Sequence, residues 1–142
     1  MADRDRDGSG RPLNARARDT LGRPLPAGGA GVAPLPDDID PSPTAVVALA
    51  DRLLDEGLPF QAHEALEAAW KAAPDDQRAA WQGMARLAVA VTHALRGNAT
   101  GAQRLRARAE ENLARGGLPE VADGLRERLR GLCDEAGAYL TG

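Results

Sequence analysis

Beyond Ser42, proline, glycine and capping residues divide the chain into five stretches of helical periodicity, and no stretch alternates in the manner of a strand. Ser42 and Pro43 suit an N-cap and a first helical position, and Val46, Val47, Leu49, Ala50, Leu53 and Leu54 keep helical spacing until Gly57. Pro59 opens a second stretch that runs to Ala73 before Pro74, because proline fits a first turn but not a helix interior. Asp75 and Asp76 suit the start of a third, where carboxylates favour the helix dipole, and its face carries Trp81, Met84, Ala85, Leu87, Ala88, Val91 and Leu95 as far as Arg96. Gly97 fits a left-handed turn and Asn98 the cap of a fourth helix, with Ala102, Leu105, Ala109 and Leu113 inward and Gly116 and Gly117 at its end. Pro119 restarts a fifth stripe of Val121, Leu125, Leu129, Leu132, Ala136 and Tyr139 or Leu140. The expected architecture is all-α, an antiparallel bundle of about five helices.

Aromatic residues make up only 3% of the 142, so the core must come from Ala, Leu and Val, a palette that favours closely packed helices over a sheet. About 100 residues suffice for one such core. The expected organisation is therefore a tail over residues 1–41 and a bundle domain over 42–142. Residues 1–44 hold 6 of the 16 glycines and 7 of the 10 prolines, and their few apolar side chains cannot offset the entropy of ordering, so the tail reads as disordered or extended. Its final piece, Leu-Pro-Asp-Asp-Ile-Asp-Pro-Ser-Pro, is placed along the domain as the chain enters it. Arg11, Arg16, Arg18 and Arg23 read as a solvated stretch.

A formal charge of -3 gives no global attraction to nucleic acid, and none is expected as a partner. A lone cysteine, Cys133, closes no internal disulfide, and no Cys or His pair has zinc-finger spacing, so a reducing compartment, the cytoplasm, is the expected location. The longest apolar run, Leu87 to Val91, falls far short of the roughly 20 residues of a membrane span, and with no apolar stretch of signal-peptide length in MADRDRDGSG neither membrane insertion nor secretion is expected. Cys133 itself reads as a buried, inert thiol.

The second helix carries the chemistry. His63, Leu66, Glu67 and Trp70 fall at i, i+3, i+4 and i+7 and share one face, which places a histidine and a glutamate on an apolar stripe where polar atoms need partners. On the third helix, Gln82 and His93 lie within about 20° of alignment and Arg86 about 40° from Gln82. A hairpin about Pro74 would bring Trp70 to Trp81 near the turn and His63 to His93 at the far end, closing a polar pocket between helices two and three. His63, Glu67 and His93 are ligand types suited to a divalent metal, with two of them at the i, i+4 spacing of helical sites. The set is incomplete without Glu64 or water, and HEALE is not the HExxH motif. Metal is the less favoured occupant. A hydrogen-bonded network that holds helix register is the leading structural reading, and binding of a small ligand the leading functional one.

HEALEAAW (63–70), WQGMARLAVAVTH (81–93) and RGNATGAQRL (96–105) together resemble the domain-of-unknown-function 309 family of small prokaryotic all-helical proteins. The resemblance implies a closed helical bundle and singles out His63, Glu64, Glu67, Trp70, Gln82, Gly83, His93, Gly97, Asn98, Gly101 and Ala102; it brings no known activity. Leu49, Ala50, Leu53, Ala62, Leu66, Ala69 and Pro74 also fall near tetratricopeptide positions, but a shift of about 34 residues lands on Arg96, Thr100 and Gln103, so no second unit follows. The ligand-binding candidates are thus His63, Glu64, Glu67, Trp70, Gln82, Arg86, His93 and Asn98. Two alternatives stand beside ligand binding: an interaction module in which these residues only hold register, and a metal-dependent hydrolase with Glu64 or Glu67 as base. No cofactor is specified, and a small ligand, a protein partner and a second copy of the chain all remain open as partners.

Overall fold

The structure, a computed structural model, describes residues 35–141, with side chains as far as Ala136. The expectations for the arginines of residues 11–23 and the rest of the tail before Leu35 lie outside the described residues. Five helices follow: α1 (Pro43–Asp55), α2 (Pro59–Ala72), α3 (Asp75–Leu95), α4 (Ala99–Ala114) and α5 (Asp123–Thr141), the last preceded by a 3-10 turn at Glu120–Ala122. No strand occurs among the described residues, so the all-α bundle expected from the periodicity is the observed fold.

The first four helices begin where Pro43, Pro59, Asp75 and Asn98 predict. Pro43 and Pro59 occupy first turns, and the Asn98 side chain accepts from the Gly101 amide at 3.0 Å, satisfying a donor that the helix leaves free. Gly97, at φ +83°, makes the left-handed turn between α3 and α4. Ser42 caps differently from expectation: its amide donates to Asp40 Oδ1 at 3.0 Å while its own side chain bonds no helix amide. At Gly101 the space is taken by the cap itself and not by a neighbouring helix, since a Cβ there would lie 2.5 Å from Asn98 Nδ2.

Helix α3 is the hub, packed against α2, α4 and α5, while α1 lies on α2 and reaches the 3-10 turn and α5. Val46, Ala50, Leu53, Ala62, Leu66, Trp81, Met84, Leu87, Ala88, Leu125 and Leu129 form one continuous core. Each fully buried Leu or Met contributes about 1.5–3 kcal/mol by leaving water. The fifth stripe enters this core as expected at Leu125, Leu129 and Ala136, with Leu132 packed partly buried against it, and departs from expectation at Val121. Pro119 starts a 3-10 turn, closed by the Ala122 amide on the Pro119 carbonyl at 2.9 Å, which buries Ala122 and leaves Val121 exposed.

Ion pairs fasten α5. Arg130 grips Glu110 of α4 through two bonds of 3.0 and 2.6 Å, and Arg106 reaches Asp134 at 2.6 Å, so Arg106 is a cross-helix clasp. Arg128 bonds Asp51 and Asp55 of α1 at 3.1 and 2.7 Å. Burial pushes the Cys133 thiol up to about 11, against the opposing pull of Arg106, so it stays protonated near neutral pH. Its Sγ faces the Leu87 carbonyl oxygen at 3.8 Å.

Candidate functional site

The polar residues expected to meet in one pocket are distributed over three places. His63 and Glu67 pair on α2: His63 Nε2 lies 2.5 Å from Glu67 Oε1, and Nδ1 lies 3.3 Å from the Phe60 carbonyl oxygen one turn back. Both ring nitrogens are thus directed at oxygens of their own helix, and the Phe60 ring, centroid 5.1 Å away, steadies the imidazole. The pair sits at the edge of the apolar stripe, with His63 17% and Glu67 32% exposed, beside the fully buried Leu66. It looks outward, away from the hairpin interior.

Gln82 and Arg86 face α4. The Asn112 amide donates to Gln82 Oε1 at 3.2 Å, and its carbonyl oxygen accepts from the Arg86 guanidinium, making a three-member relay across the α3–α4 contact. This corrects the pocket between helices two and three: α4 packs along that side of α3 and supplies the partner. His93 lies at the far end, where its Nδ1 accepts from the Asn98 amide at 3.1 Å and ties the helix end to the next cap. The metal set of His63, Glu67 and His93 is therefore not assembled, and no group of three or more His, Cys, Asp or Glu able to hold an ion occurs among the described residues. Trp81 is buried and Trp70 half-buried against the core.

Three of the candidates do come together. His63, Glu64 and Glu67, with Phe60, Ala68, Lys71 and Ala72, form one wall of an open cleft of about 610 Å³, and Leu35, Pro36, Asp37, Ile39 and Pro41 form the other. The lead-in segment thus lies along the domain as expected, yet stands off from α2. Two contributors escaped the periodic reading. Asn112 follows Ala109 by three positions and so falls on the α4 face turned to α3, a placement visible only once that face is known to be occupied. Gln61, four residues before Ala65 on the buried stripe, is 1% exposed, with neither amide atom hydrogen-bonded among the described residues.

The Glu67 carboxyl is held below the usual glutamate value chiefly by the hydrogen bond from His63, with burial opposing and the charges of His63 and Lys71 assisting. A depressed folded value means that the pair's contribution to stability is complete above the unfolded value of about 4.3 and is lost as pH falls through the folded one. In denaturant titrations between about pH 7 and about pH 3, the wild-type protein is expected to lose stability below about pH 4.5 more steeply than Glu67→Gln. Identical acid slopes would show that the pair is not coupled to folding.

Fold and cleft together define a small all-helical domain with a ligand-sized opening on one helix face. Residues 48–105 match the family described as Domain of unknown function (DUF309), which bears out the resemblance drawn from the motifs and spans α1 into α4. No curated protein and no solved structure matches the chain. No helix among the described residues is long and apolar enough to cross a membrane.

Proposed function

We propose that the protein binds a small organic ligand in the cleft between α2 and residues Leu35–Pro41. The observation that carries this reading is the cleft itself: its roughly 610 Å³ falls in the range of small-molecule sites, and its helical wall presents an oriented imidazole–carboxylate pair beside an aromatic ring. An ionised Glu67, turned outward and pre-aligned by His63, supplies a fixed acceptor, while Phe60, Leu35 and Ile39 supply apolar surface. Binding without chemistry is favoured over catalysis because both nitrogens of His63 are directed at oxygens of its own helix.

A second reading, an interaction module whose motif residues hold helix register, is supported by the Gln82–Asn112–Arg86 relay. Thermal-shift screening of cationic, anionic and neutral small molecules separates the two. At least one compound class is expected to raise the melting temperature of the wild type and to lose that effect in Glu67→Gln. A wild type that responds to none would remove the ligand reading. Elemental mass spectrometry decides the metal alternative: near-stoichiometric metal lost in His63→Ala would reinstate it.

A further inference from the structure

Gln61 is 1% exposed, and neither its Nε2 nor its Oε1 makes a hydrogen bond among the described residues. A buried carboxamide in this condition costs stability, because it gives up its bonds to water and receives none in return. The charged groups on the outer side of the same helix are not so placed: Glu67 Oε1 meets His63 Nε2, and Glu67 Oε2 lies 3.9 Å from Lys71 Nζ. In Gln61 a donor and an acceptor are unmet together, which points to a partner that offers both.

Its place on α2 is beside the cleft. Gln61 lies within about 20° of Ala68 and Ala72 around the helix, and those two alanines line the cleft, as do Phe60, next to it in sequence, and Glu64, one turn on. The same flank turns toward α1, since Ala72 also borders a crevice with Pro43. Leu35 borders the cleft with Phe60 and Glu64, and a further crevice with Leu49 and Arg52 of α1, so it spans the seam between the two helices at the turn that carries Gln61. It is partly buried against the core, yet among the described residues no hydrogen bond joins residues 35–41 to α1 or α2, the bond at this end being that of the Ser42 amide to Asp40. A segment seated by apolar contact alone opens at small cost.

We propose that Gln61 is a binding residue of the cleft, that Leu35–Pro41 is the lid over it, and that the ligand carries a neutral carboxamide or lactam group which pairs with Gln61 when the lid lifts. The inference rests on the small-ligand reading and adds the chemical class of the ligand. A glutamine amide presents an acceptor and a donor side by side in one plane; its complement is a group whose own N–H and C=O stand side by side, so that two reciprocal bonds form. A carboxylate offers no donor and an ammonium no acceptor, and either would bring a charge into a site that holds no counter-charge for it beside Gln61. Phe60, Leu35 and Ile39 supply apolar surface for the rest of the ligand.

Benzamide, an aryl ring with a neutral carboxamide, is the probe, with benzoate and acetophenone as controls that lack the donor. Each is titrated into the 15N-labelled full chain while the Gln61 side-chain NH2 signals, assigned by their absence in Gln61→Met, are followed. Benzamide is expected to move these signals to saturation, and both controls to bind at least tenfold more weakly. Gln61→Met keeps the bulk of the side chain and removes the unbonded amide, so it should melt no lower than the wild type and, read from the backbone amides of α2, bind benzamide at least tenfold more weakly. Leu35→Ala, whose lid is less firmly seated, should bind benzamide at least threefold more tightly. The proposal is overturned if benzamide leaves the Gln61 signals unmoved, binds no better than acetophenone, binds Gln61→Met as well as the wild type, or gains nothing from Leu35→Ala. It also falls if Gln61→Met melts several degrees below the wild type, which would show the amide satisfied by a held water. In any of these cases, a compound of another class whose thermal shift is lost in Glu67→Gln leaves the small-ligand reading standing, whereas a protein that responds to no compound removes both.

Discussion

Trp81→Ala is expected to lower the unfolding free energy by about 3–5 kcal/mol, a loss of about 10 °C or more in melting temperature for a domain of this size. Trp81 is 1% exposed, the largest side chain in a core otherwise built from Ala, Leu, Val and Met. Small neighbours have no reach with which to fill the void. Its indole Nε1 donates to Gln77 Oε1 at 3.4 Å, a long bond whose loss adds little, so the effect is one of packing. Thermal unfolding followed by circular dichroism checks it. A shift of only a few degrees would mean that the indole is not the keystone of the α2–α3 hairpin.

Gly83→Leu is the second large effect, expected at about 2–3 kcal/mol from overpacking. A Cβ at this position would stand 2.9 Å from the Ala109 carbonyl oxygen and from Asn112 Cβ, and 3.0 Å from Leu113 Cγ. The carbonyl belongs to helix backbone and cannot turn aside, so a bulkier side chain drives α4 outward and pulls Asn112 from Gln82 and Arg86. Alanine would recover about 1 kcal/mol of helix propensity and blur the result; leucine does not fit by any small adjustment. Amide hydrogen exchange should show α4 losing protection while α2 and α3 keep theirs. Uniform loss across all three helices, or none, would contradict the close contact.

The helix boundaries were legible because their causes are local. Pro43, Pro59 and Asn98 act within one turn of themselves, and the observed starts of α1, α2 and α4 fall where those residues place them. The polar partners were not legible, because a helical wheel says which residues share a face and nothing about which helix will cover it. Gln82 and Arg86 were correctly set on one stripe of α3, but the covering element is α4, brought close by Gly83, and not α2. Val121 was misplaced for a related reason: the single 3-10 turn after Pro119 has fewer residues per turn than the helix that follows, and it rotates Val121 out of the core while Leu125, Leu129 and Ala136 keep their expected inward places. His63 and Glu67 were paired correctly by spacing, yet the cleft beside them depends on residues 35–41, whose course no periodic pattern encodes.

The attachment of α4 has a consequence for how the domain opens. Ala109 and Asn112 of this helix are buried and Leu113 packs partly buried against the core, and to that contact are added an amide relay, two arginine clasps and the close approach at Gly83. Detaching it breaks the relay and the clasps as well as uncovering Ala109, Leu113 and the α3 surface around Gly83, so that opening responds to ionic conditions as well as to denaturant. Salt and acid act on it because they weaken the clasps and leave the alanine-rich centre of α1, α2 and α3 intact. The clasps of Arg106 and Arg130 thus make the seat of the fourth helix the part of the bundle on which ionic conditions act most directly.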